Sequence, residues 1–288
     1  MARFINPFSD WGFKKIFGQE INKDLLINFL NDLLEGEHNI KDLTFKDKEQ
    51  LPELQDMRGI IYDIYCTTDK GEHIIVEMQN RYQPYFTDRS LFYSARNIVN
   101  QGVKGAKWDY MLAPVYTVCF LNYDMDEFTP VKFRTDVALM DMNDKTLFSD
   151  RIRLVYLMLP LFSKEEDECE NDFERWIYIL KNMSTFERMP FQARNAVFKK
   201  LSEITDISAL SHEEREKYDE SLKYMRDYNA SLEGAKLIGQ REGLQAGKKE
   251  GLLESQTNIA RMMLNDGESI DKIMRYTGLT EDQIKQLN

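Results

Sequence analysis

An α/β domain followed by an all-helical extension is the fold class that this 288-residue sequence predicts. Three observations carry it. β-rich runs at residues 59–67, 73–80, 115–123 and 151–159 alternate with segments of helical periodicity, the order that builds a sheet flanked by helices. From about residue 165 the strand signal stops and charged helical segments take over. The composition, 42% hydrophobic and 30% charged without low-complexity tracts, is that of a globular chain able to bury a sizeable core.

Residues 10–35 read as helix, with Asp10 as N-cap before WGFKKIF and Leu25, Leu26, Phe29, Leu30, Leu33 and Leu34 at helical spacing. The runs 59–67 and 73–80 flank Asp69-Lys70-Gly71, a three-residue hairpin loop with glycine where a left-handed residue is wanted. Residues 88–101 read as helix. The uncharged run YMLAPVYTVCFLNY, residues 110–123, is too short for a membrane span and reads as a buried strand. The α/β domain is expected to cover residues 1–160, and FERWIYILKNM and FQARNAVFKKLSEI mark a helical region over 161–230. Along 231–256, Gly239, Gly243, Gly247 and Gly251 recur every four residues and share a helix face, with Gly234 ahead of them. A self-association helix and a plain connector both fit that pattern. Residues 257–288 read as three short helices separated by Gly267 and Gly278, with Ser269 as an N-cap and a Thr280–Gln283 capping box. Their spacing resembles a helix-turn-helix. The last one, EDQIKQL, carries two acids and one lysine, which favours a packing or assembly module over a DNA reader.

Several function classes recede on composition. Three widely spaced cysteines and three histidines without a CxxC pair make a structural zinc site improbable and point to a reducing, cytoplasmic compartment. MARFINPFSDWG has no apolar core of a signal peptide. The net charge of −11 argues against a non-specific DNA coat protein, yet leaves room for an enzyme that grips phosphates locally.

The stretch DIYCTTDKGEHIIVEMQ, residues 63–79, holds the candidate chemistry. With Thr68 facing Glu72 across the loop, counting outward sets Asp63 opposite Glu77. The pleat puts Glu77 and Gln79 on one face. Facing carboxylates lie about 5 Å apart at Cβ, repel, and force a proton onto one of them unless a cation intervenes. A hard divalent cation resolves this, because Mg²⁺ takes one or two protein carboxylates and keeps waters. The backbone carbonyl of Met78 is a further candidate ligand. Charges on a solvated sheet face are the competing reading; Ile60, Ile61, Ile75 and Val76 weaken it by leaving both faces apolar.

Asp on one strand and Glu-x-Lys on the next is the pattern of PD-(D/E)xK nucleases, and this hairpin resembles it. NPFSDWGFKKIFG, NFLNDLL, IYDI, VEMQ, Tyr93 to Gln101, Pro114-Val115, the glycine-spaced helix and the helical tail together resemble the bacterial recombination-promoting nuclease (Rpn) and transposase-related family over nearly the whole chain. The resemblance implies a restriction-endonuclease-like core, a mixed central sheet flanked by helices, with Asp63 and Glu77 as metal-binding acids and Mg²⁺ or Mn²⁺ as cofactor. Gln79 stands where the superfamily has a catalytic lysine, as is usual in this family. It supplies dipoles where a lysine supplies charge. Lys14 or Lys15 on the first helix would restore that charge. Asp10, four residues before Lys14, is assigned a supporting or second-metal role, with Glu20 as a further candidate; a simple N-cap is the alternative for Asp10.

DNA is the expected partner. Residues 80–107 hold Arg81, Arg89, Arg96, Lys104 and Lys107 against Asp88, five bases against one acid, which suits phosphate binding beside a hydrolytic site. Tyr82, Tyr85, Phe86, Phe92 and Tyr93 interleave with them. Core packing is favoured for these rings over stacking on unpaired bases. The expected function is a metal-dependent DNA endonuclease linked to recombination or mobile elements, a homo-oligomer through the glycine-spaced helix and not a membrane protein. A nuclease-fold module that binds DNA or protein without cutting is the alternative, and an assembly protein acting through the glycine-spaced helix is a third.

Overall fold

The hairpin that organises the site forms because its turn and its pleat agree. Gly71 takes φ +82°, its N–H reaches the Thr68 carbonyl at 2.9 Å, and the Thr68 N–H reaches that of Glu72 at 2.9 Å. The computed structural model, which describes residues 2–37, 39–50, 60–102, 109–125, 131–192 and 194–287, pairs β4 (Ile64–Thr68) with β5 (His73–Gln79) in antiparallel register, Ile64 opposite Val76 and Thr67 opposite His73. Continuing that register sets Asp63 opposite Glu77.

Around this hairpin a six-stranded mixed sheet is built from β1 (Leu43–Phe45), β4, β5, β6 (Val115–Leu121), β8 (Leu147–Met158) and β7 (Arg134–Met140), in the order β1-β4-β5-β6-β8-β7. β5, β6 and β8 run parallel, and the outer pairs are antiparallel. All seven residues of β6 are buried, as expected of a central strand covered on both faces. A separate two-stranded ribbon joins β2 (Glu49–Gln50) to β3 (Ile60–Ile61).

One sheet face carries α1 (Asp10–Phe17) and α2 (Lys23–Leu33), together with α4 (Asp172–Asn182) and α5 (Ala196–Thr205). Their shared core contains Phe17, Phe29, Phe120, Trp176 and Phe198. The other face carries α3 (Phe86–Val99), over Tyr62, Tyr65, Ile75 and Val115 at one end and Cys119, Leu154 and Tyr156 at the other. The first compact unit therefore runs Met1–Leu222, and the boundary expected near residue 160 falls inside it, because Trp176 packs against Phe17 and Phe29. The three cysteines are buried free thiols.

Two local expectations change. The helix expected over residues 10–35 is two helices joined by a turn of 3-10 helix at Glu20–Asn22. The N-cap of α1 is Ser9, whose Oγ accepts from the Gly12 N–H at 3.1 Å; Asp10 is the first helical residue. Gly12 is required there, since a Cβ would stand 2.2 Å from the Asn6 carbonyl oxygen. Much of the NPFSDWG motif is thus a structural knot: Asn6 Oδ1 accepts from the Phe8 N–H, and its own N–H donates to the Tyr218 hydroxyl at 2.8 Å.

The second unit is Lys223–Asn288. Helix α6, His212–Asn265, has no breaker across the expected 230 and 256 boundaries and runs for 54 residues. Its five glycines have open space where a Cβ would be, while Leu237, Ile238, Leu244 and Leu252 are exposed. The end of α6, α7 (Ile270–Thr277) and α8 (Glu281–Lys285) enclose a small core of Ala260, Ile273, Leu279 and Ile284. Gly267 and Gly278 turn the chain at φ +77° and +74°. Thr280 and Gln283 form their capping box. Ser269 occupies the N-cap position of α7 without a side-chain hydrogen bond. Among the described residues no helix is long and apolar enough to cross a membrane.

Candidate active site

The chain bends at Tyr62 and Asp63 between β3 and β4, and that bend builds the site. Beyond Ile64 the backbone leaves β5, and the Asp63 side chain takes up the bonding that the ladder gives up. Asp63 Oδ2 accepts from the Met78 N–H at 2.8 Å, and the Asp63 N–H donates to Glu77 Oε1 at 3.4 Å. On β5, Ile74 and Val76 enter the core under α1 and α2. Ile75 enters the core under α3, so by alternation Glu77 and Gln79 face α3 as well.

Glu77 is 3% exposed and Gln79 9%. Burial, then the charge of Asp63, push the Glu77 carboxyl up to about 8, against partial relief from Arg89 and from hydrogen bonds to Asp63 and Gln79. Burial likewise raises Asp63, while the Met78 N–H and the charges of Lys14 and Arg89 oppose it. A buried and a half-buried acid that resist sharing negative charge fit a hard divalent cation with water in its remaining positions. Among the described residues, no group of three or more His, Cys, Asp or Glu forms a metal cluster, so the donor set does not suit a closed zinc site.

The other expected residues divide. Met78 lies between the acids, its N–H on Asp63 and its side chain against the main core. Lys14 is near enough for its charge to act on Asp63, and its Nζ pairs with Asp10 at 2.5 Å. Asp10 acts on Asp63 only through charge and joins no three-acid cluster. Glu20 pairs with Lys23 at 3.0 Å, and Lys15 pairs with Glu214. Lys104 and Lys107 lie outside the described residues. Arg81 lies two residues past the end of β5, and Arg96 lies over the Phe92 ring at 5.9 Å.

Arg89, expected as a phosphate contact, stands beside the acids. Its Nη2 stands 4.0 Å from Glu77 Oε2, so it belongs to the acid site and partly neutralises it. The aromatic set splits as well: Phe86 is core at 1% exposure, whereas Tyr85 is 77% and Phe92 44% exposed.

Lys48 was not singled out by sequence. Its carbonyl accepts from the Tyr62 N–H at 3.0 Å, beside the bend. Burial and the charge of Lys14 lower this half-buried amine, while Asp10 and Asp63 raise it. A lysine next to a two-residue strand in a separate ribbon offers no periodic signal. Only the pairing of 48 with 62 could have flagged it.

A six-stranded mixed sheet with acids on a bent hairpin, followed by a helical extension, defines a PD-(D/E)xK-type nuclease core. The description "PD-(D/E)XK nuclease family transposase" matches residues 7–235, and "Rpn/YhgA-like nuclease family, C-terminal HTH domain" matches residues 253–288. The chain belongs to this Rpn-type PD-(D/E)XK nuclease family. No curated protein and no solved structure matches it. The helix-turn-helix match moves the weight for the tail away from a plain packing module and toward a DNA-binding element.

Proposed function

We propose that the protein is a divalent-metal-dependent DNA endonuclease, linked to recombination or mobile-element processes. The observation that carries this is the Asp63–Glu77 pair, Glu77 buried and Asp63 half-buried, joined through the Met78 N–H and the Asp63 N–H. The raised pKa of both carboxyls sets their ionised forms against the metal-free fold; a cation-binding site needs those ionised forms.

Asp63 and Glu77 would hold Mg²⁺ or Mn²⁺, with the Met78 carbonyl as a further ligand. The cation supplies charge stabilisation to the scissile phosphate and acidifies an attacking water. Gln79 hydrogen-bonds Glu77 and fixes the carboxylate that the cation requires. Lys14 and Lys48, whose charges reach Asp63, would stand in for the lysine absent at position 79 by stabilising the developing negative charge. Arg81 and Arg96 would hold flanking phosphates, together with Lys104, Lys107 and the helix-turn-helix tail. Asp10 keeps Lys14 in place through their ion pair. Incubation with supercoiled plasmid tests the reading: nicking in Mg²⁺ or Mn²⁺ and none in EDTA supports it, and intact plasmid under every condition contradicts it.

A homo-oligomer through α6 is part of the proposal, on the observation that open glycines and exposed leucines share this helix. Gly243→Ala separates the two readings. In a solitary helix it should add about 1 kcal/mol of helix stability. If the glycine face seats a second copy, the added methyl should instead shift the oligomer toward monomer in sedimentation at unchanged helicity.

A further inference from the structure

Helix α3 begins with a residue that folding does not explain. Tyr85 occupies its N-cap position at φ +63°, in the left-handed region, makes no side-chain capping bond, and leaves its ring 77% exposed. A bulky residue held there is strained, and such strain persists where function needs the side chain in place. About two turns along the helix, Phe92 is also 44% exposed.

Between them lies a cavity of about 480 Å³, lined among others by Gln83, Tyr85, Asp88, Arg89, Phe92 and Tyr93. This is the size range of small-molecule sites. Arg89 forms its inner wall. The guanidinium lies 4.9 Å from the Phe86 ring centroid and 5.8 Å from that of Tyr93. Its Nη1 donates to Gln83 Oε1 at 2.5 Å, and its Nη2 faces Glu77 at 4.0 Å. Its Nε is buried with no hydrogen-bond partner among the described residues. One planar cation therefore joins the acid site to an aromatic cavity, with a donor left over.

We infer that this cavity receives an unpaired nucleobase of the strand being cut, stacked against Tyr85 and Phe92, with the Gln83 and Asp88 side chains at its edge. A base has the flat π-face that exposed rings accept and an edge of donors and acceptors that polar side chains can meet. A paired base inside a duplex keeps its faces stacked on its neighbours and offers only its groove edge. The inference rests on the nuclease reading for the position of the phosphate beside Asp63 and Glu77. It adds to that reading a preference for single strands, flaps or mismatches.

The test uses the full-length protein and an oligonucleotide carrying 2-aminopurine, single-stranded or in a matched duplex, with Ca²⁺ for binding and Mn²⁺ for cleavage. Saturable quenching on the single strand is expected, with binding on the order of 10–100-fold tighter than to the duplex. Tyr85→Ala with Phe92→Ala should erase that preference and leave duplex affinity unchanged. Tyr85→Phe should retain the preference. Tyr85→Gly should lose the quenching and yet raise the melting temperature, because glycine accepts the left-handed backbone. Absence of quenching, or equal single-strand affinity in the double variant, overturns the inference whatever the cleavage result. Quenching that is lost in the double variant, with no Mn²⁺-dependent cleavage by the wild type, leaves the cavity standing and counts against the nuclease reading alone.

Discussion

Glu77→Gln is expected to abolish cleavage and, at the same time, to raise the melting temperature of the metal-free protein. The two effects share one cause. Glu77 is almost wholly buried, faces Asp63 across the hairpin, and has its carboxyl pushed up to about 8. An amide of the same shape keeps an oxygen for the Asp63 N–H and is neutral without a bound proton, so the cost of keeping a buried carboxyl protonated at neutral pH disappears. A neutral amide is also a poor ligand for a hard cation, so loss of activity on the order of 10²–10³-fold or more is expected. Thermal unfolding in EDTA and plasmid cleavage in Mn²⁺, run on the same preparations, check both halves. A variant that melts lower than wild type in EDTA would mean that the Glu77 carboxylate serves the fold, for example through Arg89.

Proton linkage produces the second large effect. The Glu77 carboxyl is raised from its ordinary 4.5 to about 8, so the folded protein holds this proton more tightly than the unfolded chain. Its contribution to stability is fully present below about pH 4.5 and is lost as pH rises toward about 8. Metal-free protein should therefore become less stable across that window. Cation binding requires both carboxylates ionised and must expel the proton, so apparent affinity should rise about tenfold per pH unit below about 8 and level off above it. Calorimetric Ca²⁺ titrations in buffers of different ionisation enthalpy would show release of about one proton near neutral pH. Affinity independent of pH from about 6 to 8 would show that Glu77 is already ionised in the free protein.

The hairpin was legible because two independent signals fix it. Gly71 supplies the left-handed turn residue, and the period-2 pattern on either side allows only one register that buries Ile64, Ile74 and Val76. β6 was legible as a run buried on both faces. The β7–β8 hairpin was seen only in its second half. β7 is an edge strand, its residues largely exposed or half-buried, and it carries the Arg134–Asp136–Arg153 ion network. Its turn places Lys145 at φ +63°, a conformation that lysine does not announce. At the site, Asp63, Glu77 and Gln79 follow from strand register alone. Arg89 and Lys48 do not, since each reaches the acids only through packing between elements, α3 on the sheet for one and the β2–β3 ribbon for the other. Helix periodicity spoke for Arg89 as a surface cation, and the fold turned it inward to Glu77.

The most direct test of metal-dependent cutting at this hairpin compares wild type with Asp63→Ala on supercoiled plasmid in Mg²⁺, Mn²⁺, Ca²⁺ and EDTA, with a gel shift in Ca²⁺ alongside. Removing Asp63 takes away the proposed cation ligand and the acceptor of the Met78 N–H, and leaves Arg81, Arg96 and the helix-turn-helix tail in place. Expected are Mg²⁺- or Mn²⁺-dependent nicking by wild type, none by the variant, and a retained shift for both. Equal nicking by folded Asp63→Ala would place the chemistry elsewhere, and a retained shift with no nicking by wild type in any metal would make the protein a DNA-binding module on a nuclease fold.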